Sequence, residues 1–386
     1  LGLYNTNSSS SSNSSSDSSY NQGYGSSGSS YDESVSRSVD DQDIEAFLRS
    51  KKANIKVVGC GGGGNNTLNR MAAVGIRGVE TIAINTDAQD LLNTSASRKI
   101  LIGKEITKGM GAGADPLVGE EAARESEHEI KEALAGADMV FVTCGLGGGT
   151  GSGCVSVVAE QAKKIGALVI SVVTLPFEME GQTRQDNSSF ALDKLEFVSD
   201  TLIVIPNDKL LELAPDLPLQ TAFRIADEIL TNAVKGIAEL ITKAGLINLD
   251  FADIKSVMSE GGVALIGVGD SDSSNRAEEA ISKAISNPIL DADISGASGA
   301  LVNVSGGSDM TLNEAKHVVE IVSQKLHPDS KVIWGARIDE SIESKLNVML
   351  IVTGVTSPQI VGSSVGGFSQ KKSKENFDDL GIDFIG

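Results

Sequence analysis

The chain has three cysteines, three histidines and one tryptophan in 386 residues, and aromatic residues make up only 4% of it. Cys60, Cys144 and Cys154 are odd in number and form no Cys-x-x-Cys pair. That argues against a disulfide framework and a zinc site, and it fits a reducing cytoplasm. His128, His317 and His327 fall in helical or loop contexts away from the glycine-rich turns, so no proton shuttle for hydride chemistry is evident. No apolar run approaches the ~20 residues that span a bilayer, and the N-terminus has neither the basic nor the apolar region of a signal peptide. Basic residues are outnumbered too: 32 Lys and Arg against 52 Asp and Glu give a formal net charge of -20. Long-range repulsion then opposes nonspecific contact with nucleic acid or anionic lipid. No nucleic-acid partner and no direct membrane insertion are expected.

Glycine, with 42 residues, is what the chain has in excess. Gly147-Gly148-Gly149-Thr150-Gly151-Ser152-Gly153 follows the apolar run Asp138–Leu146 and precedes a helix-like Cys154–Lys164. Gly59-Cys60-Gly61-Gly62-Gly63-Gly64-Asn65-Asn66 follows a strand-like Ile55–Val58 and precedes a helix-like Asn66–Val74. Strand, glycine turn and helix make a phosphate cradle, because backbone without Cβ approaches closely and the N–H groups of the first helical turn point at an anion. Neither turn carries the lysine of the GxxxxGK phosphate loop. A third loop, Gly109-Met-Gly-Ala-Gly-Ala-Asp115-Pro116, adds flexible backbone. Three glycine loops suit one extended ligand with three phosphates. However, Gly59-x-Gly61-x-x-Gly64 with Asp87 beyond the next strand also reads as a dinucleotide fingerprint, so a nucleotide-dependent oxidoreductase stays open at this point.

Strand-like runs at Ile55–Val58, Thr81–Asn85, Met139–Thr143, Leu168–Thr174 and Thr201–Ile205 alternate with helical segments. Runs apolar along their whole length indicate a parallel sheet covered on both faces. After Pro218 a long helical pattern has apolar residues at threes and fours from Ala222 to Ile241 and over much of its circumference, as in a helix buried between two domains that ends near Gly245. Strands at Ala264–Gly269, Gly299–Ser305, Lys331–Ala336 and Val348–Thr353, with helices at Asn275–Ser286 and Thr311–Lys325, predict a further α+β layer. The Ser-rich start cannot bury enough apolar surface to order itself. A short amphipathic Ile44–Leu48 leads into the first strand, and the segment Phe377–Ile385 reads as a short docking peptide on a flexible spacer.

Gly147–Gly153 resembles the tubulin signature. Together with Pro176-Phe-Glu-Met-Glu180-Gly-Gln-Thr-Arg184 and Asn248-Leu-Asp250-Phe-Ala-Asp253 it resembles the FtsZ family of prokaryotic division GTPases, in order from about Ile55 to Thr356. Asn65 stands where many bacterial members have another glycine, and with the Gly-Ile-Asp-Phe-Ile ending it gives an archaeal look. The resemblance implies an α/β fold: a parallel-sheet GTP-binding domain at 43–218, a central helix at 219–245, a smaller α+β domain at 246–356, and disordered tails at 1–42 and 357–386. It implies GTP/GDP and Mg2+ as cofactors, with room for a monovalent cation. Gly62, Gly63, Gly64, Asn65 and Asn66 would line the α- and β-phosphates. Asp87 would lie near the magnesium, Ala112 and Gly113 near the γ-phosphate, and Gly149, Thr150 and Gly151 on the other side of the phosphates. Glu180 and Arg184 would hold the ribose side, Asn207 and Asp227 would read guanine, and Phe223 would pack on the base. Without the resemblance, Asp227 reads equally as an acidic residue that the dipole favours in a first helical turn. No residue is assigned as a direct metal ligand.

Asn248, Asp250 and Asp253 are the implied catalytic residues, and they follow the long helix. A helix of ~24 residues is ~36 Å long, so these groups cannot reach the nucleotide of their own subunit. The family resolves this by head-to-tail stacking, in which one subunit completes the site of the next. Two like charges at about 4 Å repel by roughly 4 kcal/mol at an effective dielectric of 20. The two carboxylates are therefore expected to orient the attacking water, with cations offsetting their charge. The expected whole is a self-assembling GTPase of the cytoplasmic mid-cell division ring, anchored through a membrane protein that grips Leu380–Ile385. A tubulin-like relative that controls cell shape is the closer alternative.

Overall fold

The computed structural model describes residues 53–76, 78–213, 218–242, 246–247, 249–259, 261–290 and 294–355. Both expected tails, the segment Ile44–Leu48, Gly245, Asn248 and the docking segment Leu380–Ile385 lie outside the described residues.

Among the described residues, ten strands build one sheet: β1 (Ile55–Cys60), β2 (Val79–Asn85), β3 (Arg98–Leu101), β4 (Met139–Gly145), β5 (Leu168–Leu175), β6 (Thr201–Pro206), β7 (Gly262–Ser271), β8 (Gly299–Gly306), β9 (Lys331–Ile338) and β10 (Leu346–Thr353). Their order is β3-β2-β1-β4-β5-β6-β7-β10-β8-β9. The first six are all parallel. β7 joins β6 in parallel through Thr201–Ile203 against Gly262–Ala264, so backbone pairing runs on past the expected end of the first domain. β10 is antiparallel to both β7 and β8, and β9 is parallel to β8.

Successive side chains of a strand point to opposite faces, and both faces of the first six strands are covered. Val58, Cys60, Val140 and Val142 pack under α3 (Pro116–Glu125), α4 (Glu127–Leu134), α5 (Gly149–Lys164) and α6 (Gln182–Val198). Ile55, Val57, Met139 and Phe141 pack under α1 (Gly61–Val74), α2 (Ala88–Asn93), α8 (Leu219–Thr242) and α9 (Phe251–Met258). This two-sided burial is why the strands are apolar throughout. The same cluster takes in Ile266, Leu301, Met349 and Ile351, so α8 seats its buried Leu230, Val234 and Ile237 against the late strands as well as the early ones. The other face of the late strands is covered by α10 (Arg276–Ile285) and α11 (Leu312–Lys325). A short α7 (Asp208–Leu213) precedes α8.

Two helix starts differ from expectation. α1 begins at Gly61 rather than Asn66, and α5 at Gly149 rather than Cys154, so most of each glycine run is helix and not turn. The reason is backbone packing at the strand ends. A methyl group at Gly63 would come within 2.9 Å of the Gly145 nitrogen, and one at Gly149 within 2.7 Å of the Asp115 nitrogen. Helices with side chains there could not approach so closely. All three cysteines are free and buried, and hydrogen bonding to Cys154 together with burial pushes the Cys60 thiol up.

Candidate functional site

The strand order reverses between β1 and β4, which are neighbours although β2 and β3 intervene in the chain. Ligands of open α/β sheets lie in the crevice at such a point, beyond the carboxyl ends of the strands. Both α1 and α5 start there. Neither has a side-chain N-cap or an acidic residue in its first turn. By contrast, α2 and α3 are capped by Asp87 and Asp115. Two uncapped helix N-termini converging on one crevice present unpaired N–H groups and positive dipole ends to an anion.

The glycines divide by what surrounds them. Gly61, Gly63, Gly64, Gly149 and Gly151 are fitted against backbone. Gly62 is different, since a methyl group there would meet only Asp90 Oδ2 at 3.9 Å, and at Gly148 it would meet nothing within 4 Å. Neither has a positive φ. The protein itself does not demand glycine at these two positions, and a closely approaching ligand would. The third loop is pinned beside them by Gly111 N donating to Thr86 O at 3.3 Å and Ala88 N donating to Gly109 O at 3.0 Å. Lys108 and Ala114 take left-handed conformations at its two ends, a strained arrangement for side-chain-bearing residues. Within it Ala112 is buried and Gly113 exposed. Asn187 of α6 donates to Ala114 O at 3.0 Å and Gly147 O at 3.3 Å, joining the third loop to the second glycine turn.

Polar side chains fill the floor. The Thr86 and Thr150 hydroxyls are 2.6 Å apart, which ties the end of β2 to the first turn of α5. Asp87 Oδ1 accepts from the N–H groups of Gln89 and Asp90. Asn65 is fully buried, donates its amide to Asp90 Oδ2 at 3.1 Å, and has no donor for its own Oδ1. Asn66 beside it is exposed.

The far side of the crevice holds the expected base and ribose residues. Phe223, in the first turns of α8, is half-exposed and meets the buried Phe177 edge-to-face at 5.2 Å between centroids. Asn207 is buried and its Oδ1 is unpaired. Asp227 accepts from Thr67 at 3.5 Å, and burial pushes its carboxyl up to about 6 against the opposing pull of Thr67 and Arg70. Glu180 and Arg184 form an ion pair of 2.8 Å, and Glu180 also accepts from Phe177 N at 2.9 Å. The crevice thus offers N–H groups for phosphates at one end, and a carboxylate, an amide oxygen and an aromatic ring at the other.

Comparison with known proteins matches residues 54–215 to the GTPase domain of the tubulin/FtsZ family and residues 262–356 to the C-terminal domain of the FtsZ family. "Cell division protein FtsZ 1" of Methanocaldococcus jannaschii is 57% identical over 320 residues, covering 83% of this chain and 88% of the relative. That of Pyrococcus horikoshii is 59% identical over 323 residues, covering 84% and 87%. The chain belongs to the FtsZ family. It is therefore a GTPase that takes GTP and GDP, and the oxidoreductase reading falls although its strand order is shared with dinucleotide-binding folds. A solved FtsZ dimer of M. jannaschii superposes with a TM-score of 0.79 at 57% identity, over 82% of this chain and 93% of that one. CetZ2 of Haloferax volcanii, at 23% identity and a TM-score of 0.68, covers 78% and 93% and shares the fold.

In this FtsZ-family chain the acidic loop stands apart from the crevice. Asp250 caps α9, accepting from Asp253 N at 2.7 Å, while Asp253 Oδ2 accepts from Asp250 N at 3.4 Å, and both residues are exposed. α8 has its base-side residues in its first turns, and its last residue Thr242 lies against Gly78, just before β2 starts. α9 likewise ends at the start of β6, where Thr201 donates to Met258 O. α8 thus runs from the crevice, where the parallel strands end, to the edge where β2 begins, and the acidic loop follows it, with Ile247 pairing to Ala336 of β9. Thr67, Asn85, Thr86, Asp90, Phe177 and Asn187 also shape the crevice; of these only Phe177 lay within a motif read from the sequence, and the others had no signal there.

Proposed function

We propose that the crevice binds GTP and that subunits stack head to tail, each bringing Asp250 and Asp253 to the γ-phosphate of its neighbour. The observation that supports this reading best is the course of the 24-residue α8, which has Phe223 and Asp227 near its start at the crevice and its last residue, Thr242, beside Gly78 just before β2, with the acidic loop following it. At 1.5 Å per residue that helix separates its ends by roughly 36 Å, too far for the loop to serve its own crevice. The solved relatives are described as an FtsZ dimer and a GTPgS-bound CetZ2 protofilament, which supports self-association.

In this reading the first-turn N–H groups of α1 and α5 take the phosphates, with Gly62 and Gly148 letting them approach. Asn207 and Asp227 take the guanine edge: a carboxylate accepts from N1–H and the 2-amino group, donors that adenine does not offer as a pair. Phe223 packs on the base, and Glu180 and Arg184 hold the ribose. Asp87, Thr86 and Thr150 face the cation region, and Ala112 and Gly113 the γ-phosphate. Mg2+, and a monovalent cation beside it, would ride mainly on the phosphates. Among the described residues no three His, Cys, Asp or Glu come together to cage a metal, and Mg2+ commonly keeps several waters. When bound, Mg2+ neutralises charge that builds on the phosphate oxygens. Asp250 and Asp253, with Asn248, orient the attacking water in trans.

GTP turnover per subunit should be near zero below a threshold concentration and then rise with light scattering. Asp250→Ala should bind GTP and assemble, yet lose about 10³-fold or more in turnover. Turnover independent of concentration, or wild-type turnover in Asp250→Ala, would remove the trans assignment.

The same reading places the protein at a mid-cell ring in the cytoplasm, held to the membrane by an anchor protein that grips Leu380–Ile385. No helix among the described residues is long and apolar enough to cross a membrane. Deleting residues 377–386 should abolish recruitment to anchor-bearing vesicles while sparing GTP turnover. Undiminished recruitment would refute the docking role.

A further inference from the structure

Asp90 is unused in the chemistry above, yet its carboxylate stands where three elements of the crevice cross. It lies on the first turn of α2, and its Oδ2 accepts Asn65 Nδ2 of α1 at 3.1 Å and Asn85 Nδ2 at the end of β2 at 2.6 Å. The same oxygen is the near neighbour of Gly62, whose glycine the protein's own packing does not require. A carboxylate only accepts, so the NH2 group of Asn65 must face it and the Asn65 carbonyl must face away. That carbonyl oxygen is the unpaired acceptor of a side chain with no exposed surface. An acceptor repels a phosphate oxygen. Whatever pairs with Asn65 Oδ1 must carry an N–H or O–H donor, and an orphaned acceptor at this depth is costly without one.

We propose, building on the nucleotide-site reading, that Asp90 is a positioning residue for nucleotide binding. It holds the Asn65 amide so that its carbonyl meets a donor brought in by the ligand, either a hydroxyl or N–H of the nucleotide or a water of its cation. A negative charge beside a phosphate cradle would otherwise oppose binding. Here two amide hydrogens and the first turns of α1 and α2 offset it. The phosphates are left to the backbone N–H groups, and the asparagine contributes an acceptor.

The test is equilibrium binding of fluorescent GDP to the full chain, with Mg2+ and with EDTA, for Asp90→Ala, Asn65→Ala, the double variant and Asp90→Asn. Each single alanine variant should weaken binding about five- to tenfold in Mg2+, the worth of one hydrogen bond. The double variant should bind no more weakly than Asn65→Ala, because Asp90 acts through Asn65. Asp90→Asn keeps a carbonyl acceptor and should stay within about threefold of wild type. Losses that disappear in EDTA would put the donor in the cation's water shell, and losses that persist would put it on the nucleotide. Multiplying losses in the double variant, or wild-type affinity in Asp90→Ala, would overturn the proposal. Should Asp90→Ala not fold, wild-type affinity in Asn65→Ala overturns it alone, and weakened binding there with near-normal Asp90→Asn upholds it. A wild-type protein that binds no GDP would instead defeat the nucleotide-site reading.

Discussion

At Asp227, burial and the proposed guanine contact pull in opposite directions. Burial pushes its carboxyl up from 3.8 to about 6, while acceptance from guanine requires the ionised form. GDP affinity should therefore fall as pH is lowered through about 6, approaching tenfold per pH unit below it. The sign for stability is opposite. A folded-state pKa above the unfolded value means the native protein holds the proton more tightly, so Asp227's contribution to nucleotide-free stability grows as pH falls from about 6 towards 4. Asp227→Asn should remove both trends and admit adenine nucleotides more readily. Binding and thermal-unfolding titrations over this range check it; a pH-independent GDP affinity in the wild type would disconnect Asp227 from the base. In the sequence Asp227 is one acidic residue among several in a helical pattern. Its pKa depends on neighbours such as Thr67 and Arg70, more than 150 positions away.

At the scale of elements, each glycine run serves two purposes that composition cannot separate. Gly63 and Gly149 let helix starts lie on neighbouring backbone, whereas Gly62 and Gly148 touch little of the protein. Gly62→Ala and Gly148→Ala should leave the unfolding midpoint nearly unchanged and weaken GDP binding about tenfold. Gly63→Ala and Gly149→Ala should cost about 1–3 kcal/mol of stability through overpacking. Thermal unfolding beside nucleotide binding distinguishes the two classes, and equal behaviour of all four would defeat the division. The sequence expectation of a turn at both runs was half legible. It found the strand, the glycines and the helix, but placed the helix starts five residues late because intrinsic propensity disfavours glycine in a helix and tertiary packing overrode it.

At the scale of the whole molecule, α8 is the element on which the proposed mode of action turns. It separates the crevice from Asp250 and Asp253, so two variants with complementary defects should help each other. Gly62→Ala subunits, with a weakened crevice, carry an intact acidic loop, and Asp250→Ala subunits carry an intact crevice. At GTP concentrations too low to fill the Gly62→Ala crevice, their mixture should hydrolyse GTP well above the sum of the two measured separately, because junctions between unlike subunits restore complete sites. A mixture equal to that sum would argue for sites complete within one subunit.

Local order was legible in the sequence for local reasons. Apolar runs specified β1, β2, β4, β5 and β6, and spacing at threes and fours specified α8, because such patterns reflect burial on two faces of a sheet or around a helix. The motifs at Gly147–Gly153 and Asp250–Asp253 carried the family. Tertiary structure alone decided the short β3, the pairing of β6 with β7, and the reversal of strand order between β1 and β4 that opens the crevice. It also decided which glycines face backbone and which face open space, and that Asp90 holds Asn65. Those outcomes depend on contacts between residues far apart in the chain, and no local pattern of propensity or hydrophobicity encodes them.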